Sequence, residues 1–206
     1  MSLPHVYWIG GASGAGKSTI ARTLAARHGL RLYDTDAVMR EHAARSTEPQ
    51  LSAFLAMSMD ERWVDRSPQV MLDTFHWYRG EAFDLIIEDL RRLPTEPGII
   101  AEGFRLLPHL VRPHLPSSTP AVWLLPTPAF RRAAFDSRGS TWQIAGRTSD
   151  PERALANLLE RDRLFTERLR DELTREDLPA ITVEPGLTEE ELTDQVSHCL
   201  KIHRVR

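Results

Sequence analysis

The chain has 206 residues, of which 41% are hydrophobic and 27% are charged, so one compact domain over residues 1–206 is expected. A formal net charge of −3 gives no broad attraction to nucleic acid or to an anionic membrane, and we expect neither as a partner. One cysteine, the lack of a signal-peptide pattern and the lack of any long apolar run predict a protein of the reducing cytoplasm. A monomer or a homodimer is expected.

Short apolar runs alternate with helical patterns along the chain. Strands are predicted at residues 5–10, 30–33, 98–101, 121–125 and 180–183. Helices are predicted at residues 17–28, 80–93, 129–135, 150–173 and 188–200, the last opened by a capping box of Thr188 and Glu191. Gly29 is the expected C-cap of the first helix. This alternation predicts an α/β fold with a parallel sheet covered by helices on both faces.

A glycine-rich loop lies between the first predicted strand and the first predicted helix. It fits the pattern G-x-x-x-x-G-K-[ST] at every specified position, with Thr19 after it: Gly11, Ala12, Ser13, Gly14, Ala15, Gly16, Lys17 and Ser18. Glycines let backbone N–H groups wrap phosphates, and the helix N-terminus adds positive potential. Lys17 is expected to reach the β- and γ-phosphates of ATP, and Ser18 to ligate Mg²⁺.

Lysine is rare in this chain, which strengthens the interpretation of Lys17. Only Lys17 and Lys201 occur, and arginine supplies the other basic residues. A lysine that persists in such a composition indicates a site where the planar guanidinium group of arginine does not substitute for a point charge.

Two aspartates follow the second predicted strand in the run Tyr33-Asp34-Thr35-Asp36. Together with the glycine-rich phosphate-binding loop (P-loop) at residues 11–18, this D-x-D pattern is similar to the one in the small-molecule P-loop kinases. That group contains shikimate, gluconate and nucleoside monophosphate kinases. The resemblance implies a three-layer α/β/α sandwich with a five-stranded sheet of order 2-3-1-4-5. It implies that Asp34 organises Mg²⁺ and that Asp36 orients and deprotonates an acceptor hydroxyl. An Asx turn that closes the strand is the alternative interpretation of Asp34.

Further polar residues are candidates for substrate binding. Glu102 and Arg105 follow the third predicted strand, and ligands of open α/β sheets gather at the carboxyl ends of strands. Glu102 is also an alternative to Asp36 as the base. Arg79 precedes the 80–93 helix in a loose match to a shikimate kinase element, but Asp84 stands where that element has its substrate-binding arginine.

The resemblance also implies a lid over residues 129–153. Arg138 and Arg147, which are flanked by Gly139 and Gly146, are the candidates for neutralising charge on the transferred phosphoryl group. Arg131 and Arg132 are secondary candidates, and Asn157, Arg161 and Asp162 on the following helix are expected to face the lid and the acceptor site.

Residues 37–97 are predicted to be mainly helical and to form the acceptor-binding region. Much of the aromatic content falls there, and with Met39, Met57, Met59 and Met71 it predicts a partly apolar pocket. Core packing is the more frequent explanation for any one of these residues. We therefore expect an ATP- and Mg²⁺-dependent phosphotransferase that acts on a hydroxyl, or less readily a phosphate, of a small molecule. The alternatives are an antibiotic-modifying phosphotransferase and a nucleotide-dependent binding or regulatory protein without phosphotransfer.

Overall fold

A computed structural model describes residues 2–47, 49–118, 120–138 and 140–202, with the backbone alone at 135, 137, 138 and 140–142. Its sheet is entirely parallel and consists of β1 (Val6–Gly11), β2 (Arg31–Asp34), β3 (Ile99–Glu102), β4 (Ala121–Pro126) and β5 (Ala180–Val183). The strand order is β2-β3-β1-β4-β5, which confirms the order that the kinase resemblance implies.

The strand side chains alternate between two apolar faces, as buried parallel strands require. Trp8 of β1 and Trp123 of β4 lie in one core, which is covered by α6 (Phe83–Arg92), α7 (Pro108–Val111) and α10 (Pro151–Glu176). Ile9 of β1 and Leu124 of β4 lie in the other core, which is covered by α1 (Lys17–His28) and α11 (Glu189–Leu200). The result is the expected three-layer α/β/α sandwich.

Helix boundaries follow local capping chemistry. Gly29 ends α1 in the left-handed region with φ of 64°, and Thr188 and Glu191 form the predicted capping box of α11. The helix predicted at residues 80–93 begins instead at Phe83, because Gly80 and Ala82 have φ of 84° and 57° and interrupt the helical backbone. Residues His76–Arg79 form a separate 3₁₀ turn before this break.

The region predicted to be helical between residues 37 and 97 contains α2 (Met39–Arg45), α3 (Pro49–Ala56), α4 (Met59–Trp63) and α5 (Pro68–Thr74) in addition to α6. Trp63 and Met71 of these helices pack against Leu158 of α10. The stretch predicted as a lid contains α8 (Pro128–Arg138) and α9 (Ser140–Ala145). Among the described residues, no helix is both long and apolar enough to span a lipid bilayer.

Candidate active site

The predicted phosphate-binding loop joins β1 to α1. Its glycines Gly11, Gly14 and Gly16 have φ of 124°, 77° and 83°, which glycine adopts without steric penalty. At Gly11 an added Cβ would lie 2.2 Å from the carbonyl oxygen of Leu124 on β4, so a larger residue does not fit. The loop ends at the N-terminus of α1, where free backbone N–H groups and the helix dipole favour an anion.

Lys17 is buried at the first position of α1. Its Nζ donates a hydrogen bond of 2.9 Å to the carbonyl oxygen of Ala12, so the ammonium group lies against the phosphate-binding loop. Burial lowers the pKa of Lys17, and the carboxylates of Asp36 and Glu102 act in the opposite direction. The cation therefore has two acidic residues close enough to influence its ionisation.

Strand pairing brings two of the predicted carboxylates to one edge of the sheet. Asp34 at the end of β2 is aligned with Glu102 at the end of β3, and Glu102 is aligned with Ile9 of β1, just before the loop. Oδ1 of Asp34 accepts hydrogen bonds from the backbone N–H groups of Asp36 and Ala37 at 2.8 and 3.2 Å. Asp34 thus forms the Asx turn that the sequence analysis gave as an alternative. The turn fixes the position of the Asp36 backbone relative to the end of β2.

Glu102 and Asp36 both lie in surroundings that disfavour their charged forms. Glu102 is 1% exposed, and neither of its carboxylate oxygens has a hydrogen-bond partner among the described residues. Burial raises the pKa of Glu102, whereas the nearby Lys17 ammonium and Ser18 hydroxyl groups oppose this shift. Asp36 is exposed at the surface, but neighbouring atoms still reduce its hydration and raise its pKa, again against the effect of Lys17.

A cavity of about 410 Å³ adjoins the phosphate-binding loop. Its wall includes Ser13 of that loop, and most of the other lining residues are aromatic or aliphatic: Met39, Ala43, Leu51, Phe54, Leu55, Trp63, Phe75, Trp77, Tyr78, Phe104 and Ile144. Arg40, His76 and Arg161 are its other polar members. The volume lies within the ~300–1,000 Å³ range of small-molecule sites. Of the methionines predicted for a pocket, Met39 lines this cavity, while Met57, Met59 and Met71 pack in the neighbouring core cluster.

Comparisons with known proteins identify kinases as similar in sequence and in fold. A shikimate kinase family model matches residues 13–53, which contain most of the loop, Asp34 and Asp36. Cytidylate kinase from Saccharophagus degradans is 30% identical over 124 residues, a match that covers 48% of this chain and 55% of that enzyme. The chain thus spans about half the length of that curated relative. The structure of deoxyadenosine kinase from M. mycoides with bound dATP is similar in fold, with a TM-score of 0.51 and 12% identity over 95% of this chain and 99% of that one.

The chain resembles the small-molecule P-loop kinases. The sequence matches and the sheet order agree in this respect.

Two arginines predicted to bind substrate contact protein groups in this structure. Arg105 is buried and donates hydrogen bonds to the carbonyl oxygens of Thr35 and Ala82, at 3.4 and 3.1 Å, and to Nδ1 of His42 at 3.1 Å. Burial lowers the pKa of Arg105 to about 10. Thr35 stands between Asp34 and Asp36, so the hydrogen bond from Arg105 stabilises the turn that these residues form. Arg79 is exposed and donates to the carbonyl oxygen of Asp73 at 3.1 Å, in a depression separate from the cavity.

The predicted lid arginines differ from one another in how far the structure describes them. The side chain of Arg138 and the whole of Gly139 lie outside the described residues. Arg147 is exposed just after α9. Arg131, a secondary candidate in the sequence, is buried; its Nε donates to the carbonyl oxygen of Ser13 at 3.3 Å and its Nη2 to Thr166 at 2.5 Å. Among these arginines, Arg131 is therefore the one with a described contact to the phosphate-binding loop.

A buried ion pair on α10 closes one side of the cavity. Nε and Nη2 of Arg161 donate to the same oxygen of Asp162 at 3.0 and 2.7 Å, and the hydroxyl group of Tyr78 donates to that oxygen at 3.0 Å. Burial lowers the pKa of Arg161, but the Asp162 carboxylate more than compensates and raises it overall. The guanidinium group also lies 5.2–5.3 Å from the ring centroids of Trp63, Phe75 and Tyr78.

Sequence reasoning missed the Tyr78–Asp162 contact and the involvement of Ser13 and Phe104 in the cavity. Asp162 and Thr166 are spaced i,i+4 on the apolar face of α10, and such polar residues on a buried face were the available signal. Their partners come from residues 78 and 131, which are distant in sequence, so the pairing was not readable from the chain alone.

Proposed function

We propose that the protein is a kinase that transfers the γ-phosphoryl group of Mg²⁺-bound ATP to a hydroxyl group of a small molecule. The observation that supports this proposal is the location of Ser13. This residue belongs to the phosphate-binding loop and also lines the aromatic cavity. A molecule in the cavity would adjoin the terminal phosphate of a nucleotide held by the loop. Such adjacency is what phosphoryl transfer requires, because positioning supplies much of its catalysis.

Asp36 is the proposed base. Its carboxylate would accept the proton of the acceptor hydroxyl while that oxygen bonds to the γ-phosphorus and the bond to the β–γ bridging oxygen breaks, leaving ADP. The raised pKa of Asp36 makes it a stronger base than an aspartate with the ordinary pKa. Glu102 is the alternative base, since its pKa is also raised and its oxygens are unpartnered within the described chain.

The charged residues around the loop fit a nucleotide with magnesium. The described residues contain no group of three or more His, Cys, Asp or Glu side chains arranged to hold a metal ion. A few protein oxygens nevertheless suffice for Mg²⁺, which keeps several waters and takes phosphate ligands. Ser18, Asp34 and the unpartnered carboxylate of Glu102 are the residues proposed to hold it. When bound, the ion neutralises charge on the β- and γ-phosphates, and Lys17 adds a second positive charge.

A second candidate function is modification of an antibiotic by phosphotransfer, which the largely apolar wall of the cavity favours. A phosphate acceptor is a further possibility within the same reaction class, since one sequence relative is named cytidylate kinase. A nucleotide-dependent binding protein without phosphotransfer is the alternative from a different class. It would bind ATP and release no ADP in response to an acceptor.

The test is acceptor-dependent ADP release from Mg²⁺-ATP with pooled sugar acids, cyclitols, nucleosides, nucleotides and antibiotics. Asp36→Asn should lower kcat about 10²- to 10⁴-fold, the range for loss of a general base, with ATP affinity retained. Asp171→Asn, at an exposed position of α10, is the matched control and should retain wild-type turnover. Equal turnover in Asp36→Asn would refute its role as base. A loss confined to Glu102→Gln that excess Mg²⁺ does not restore would transfer that role to Glu102. ATP binding without acceptor-dependent ADP from any pool would favour the binding protein.

A further inference from the structure

The cavity wall is a continuous aromatic surface. The ring centroids of Phe54 and Phe75 are 5.4 Å apart, His76 lies 5.1 Å from Phe54 and 4.5 Å from Trp77, and Tyr78 lies 4.8 Å from Phe75. Rings at such separations leave flat faces and edges that suit another ring in offset or edge-to-face contact. The shape and polarity of the wall therefore favour a planar, apolar body over a polyol.

His76 is the unexplained polar group in this wall. It is 1% exposed, and neither ring nitrogen has a hydrogen-bond partner among the described residues. Buried polar groups are usually satisfied, so a buried imidazole that lines a cavity without a partner indicates a group supplied by a ligand. Burial, with a smaller effect from the Arg105 cation, lowers the pKa of His76 to about 4. The ring is thus neutral near pH 7, with one N–H donor and one acceptor nitrogen.

The charges around the cavity do not provide a buried cation for an anionic acceptor. Arg161 already shares two hydrogen bonds with Asp162, and Arg105 lies over the ring of Trp77, at 4.2 Å, where it binds protein carbonyl groups. Arg40 also lines the cavity, but it is exposed, so solvent screens its charge. A carboxylate or phosphate inside the cavity would lose its hydration without gaining a buried, unpaired positive charge, which is unfavourable.

We propose that the phosphoryl acceptor is an uncharged alcohol that carries a planar aromatic ring, which packs against this wall and forms a hydrogen bond with His76. The inference deepens the proposed function and rests on it for the phosphoryl transfer, but the binding specificity stands on the cavity alone. In this arrangement the hydroxyl to be phosphorylated lies at the Ser13 end of the cavity. Both the charge and the shape of the cavity disfavour anionic sugar acids and cyclitol acids.

The test compares two sets of compounds for binding and for turnover. The first set contains uncharged aromatic alcohols: nucleosides, 2-phenylethanol, tyrosol and chloramphenicol. The second contains anionic or aliphatic compounds: nucleoside monophosphates, shikimate, gluconate and glucose. Calorimetry with Mg²⁺-ADP present measures binding, and ADP release with Mg²⁺-ATP measures transfer. Binding confined to the first set is the expected result. Binding confined to the second set, or binding by neither set, overturns the inference. Binding by the first set without ADP release supports the inference and contradicts the proposed kinase activity, so the two failures are distinguishable.

Two variants locate the binding within the cavity. His76→Phe keeps a ring and removes both nitrogens, so the Kd of the aromatic acceptor should rise about tenfold, the effect of one lost hydrogen bond, with the Kd of ATP unchanged. The Tm of the ligand-free variant should not fall, because no described protein partner is lost; a lower Tm with an unchanged acceptor Kd would show a structural role and overturn this assignment. Ala43→Phe, on α2 at the cavity wall, should abolish acceptor binding and leave ATP binding intact. His109→Phe, an exposed histidine on α7, is the matched control.

Discussion

Asp162→Asn removes the negative charge that balances the buried Arg161 guanidinium group. The two residues are 3% and 7% exposed, and Asp162 receives two hydrogen bonds from Arg161 and one from Tyr78. Loss of one partner of a buried ion pair costs about 3–5 kcal/mol. The asparagine oxygen can still accept hydrogen bonds and the aromatic rings still face the cation, so we expect the lower end, about 3 kcal/mol. In a chain of this length, each 1 kcal/mol shifts Tm by about 2–4 °C, which gives a decrease of about 6–12 °C.

Urea denaturation followed by circular dichroism at pH 7 measures this change, with Asp171→Asn as a control at an exposed position of the same helix. The double variant Asp162→Asn with Arg161→Met removes the uncompensated cation and should recover at least half of the lost stability. A loss below about 1 kcal/mol for Asp162→Asn, the size expected for an exposed pair, would refute the assignment of a buried ion pair. The same holds if the double variant is no more stable than Asp162→Asn alone.

Three other perturbations test the site. Glu102→Gln should raise the Tm of the ligand-free protein at about pH 7–8, because burial raises the pKa of Glu102 and its ionisation therefore costs stability. The gain in Tm should shrink as the pH falls, because wild-type Glu102 then becomes protonated. Wild type should lose stability as the pH falls from about 6.5 towards about 4, since only the unfolded state protonates His76 in that window, and His76→Phe should lack this component. Gly103→Ala should lower both Tm and turnover, because its φ is 148° and an added Cβ would lie 1.7 Å from Oγ1 of Thr35, between the two aspartates.

Each of these perturbations has a matched control. Glu184→Gln changes an exposed glutamate and should leave Tm unchanged across the pH range, and His109→Phe should keep the acid-side loss that His76→Phe removes. Gly29→Ala introduces a side chain at φ of 64° with no atom within 4 Å, so it should cost only the left-handed backbone penalty of about 1–2 kcal/mol. A pH-independent gain for Glu102→Gln, or an equal loss for the two glycine variants, would contradict the geometry described.

The elements that the sequence predicted well are those with strong local signals. The helix at Lys17–His28 has a glycine at each end, and the helix at Glu189–Leu200 has a capping box, so both are defined by interactions within a few residues. The start of α6 was predicted three residues early. The helical sequence pattern continues through Gly80 without a break. Ala82 has a positive φ, but alanine is not a residue type that indicates a left-handed backbone.

The sequence by itself determined the phosphate-binding loop, because glycine spacing, one lysine and a following helix specify an anion site locally. It also predicted the sheet order through the kinase resemblance, which the structure confirms. Only the tertiary structure decided that Arg105 supports the Thr35 turn, that Arg131 contacts Ser13, and that Tyr78 donates a hydrogen bond to Asp162. These contacts join residues far apart in the chain. Whether a buried charge binds a ligand or a protein group depends on which strands and helices meet around it, and no local pattern records that.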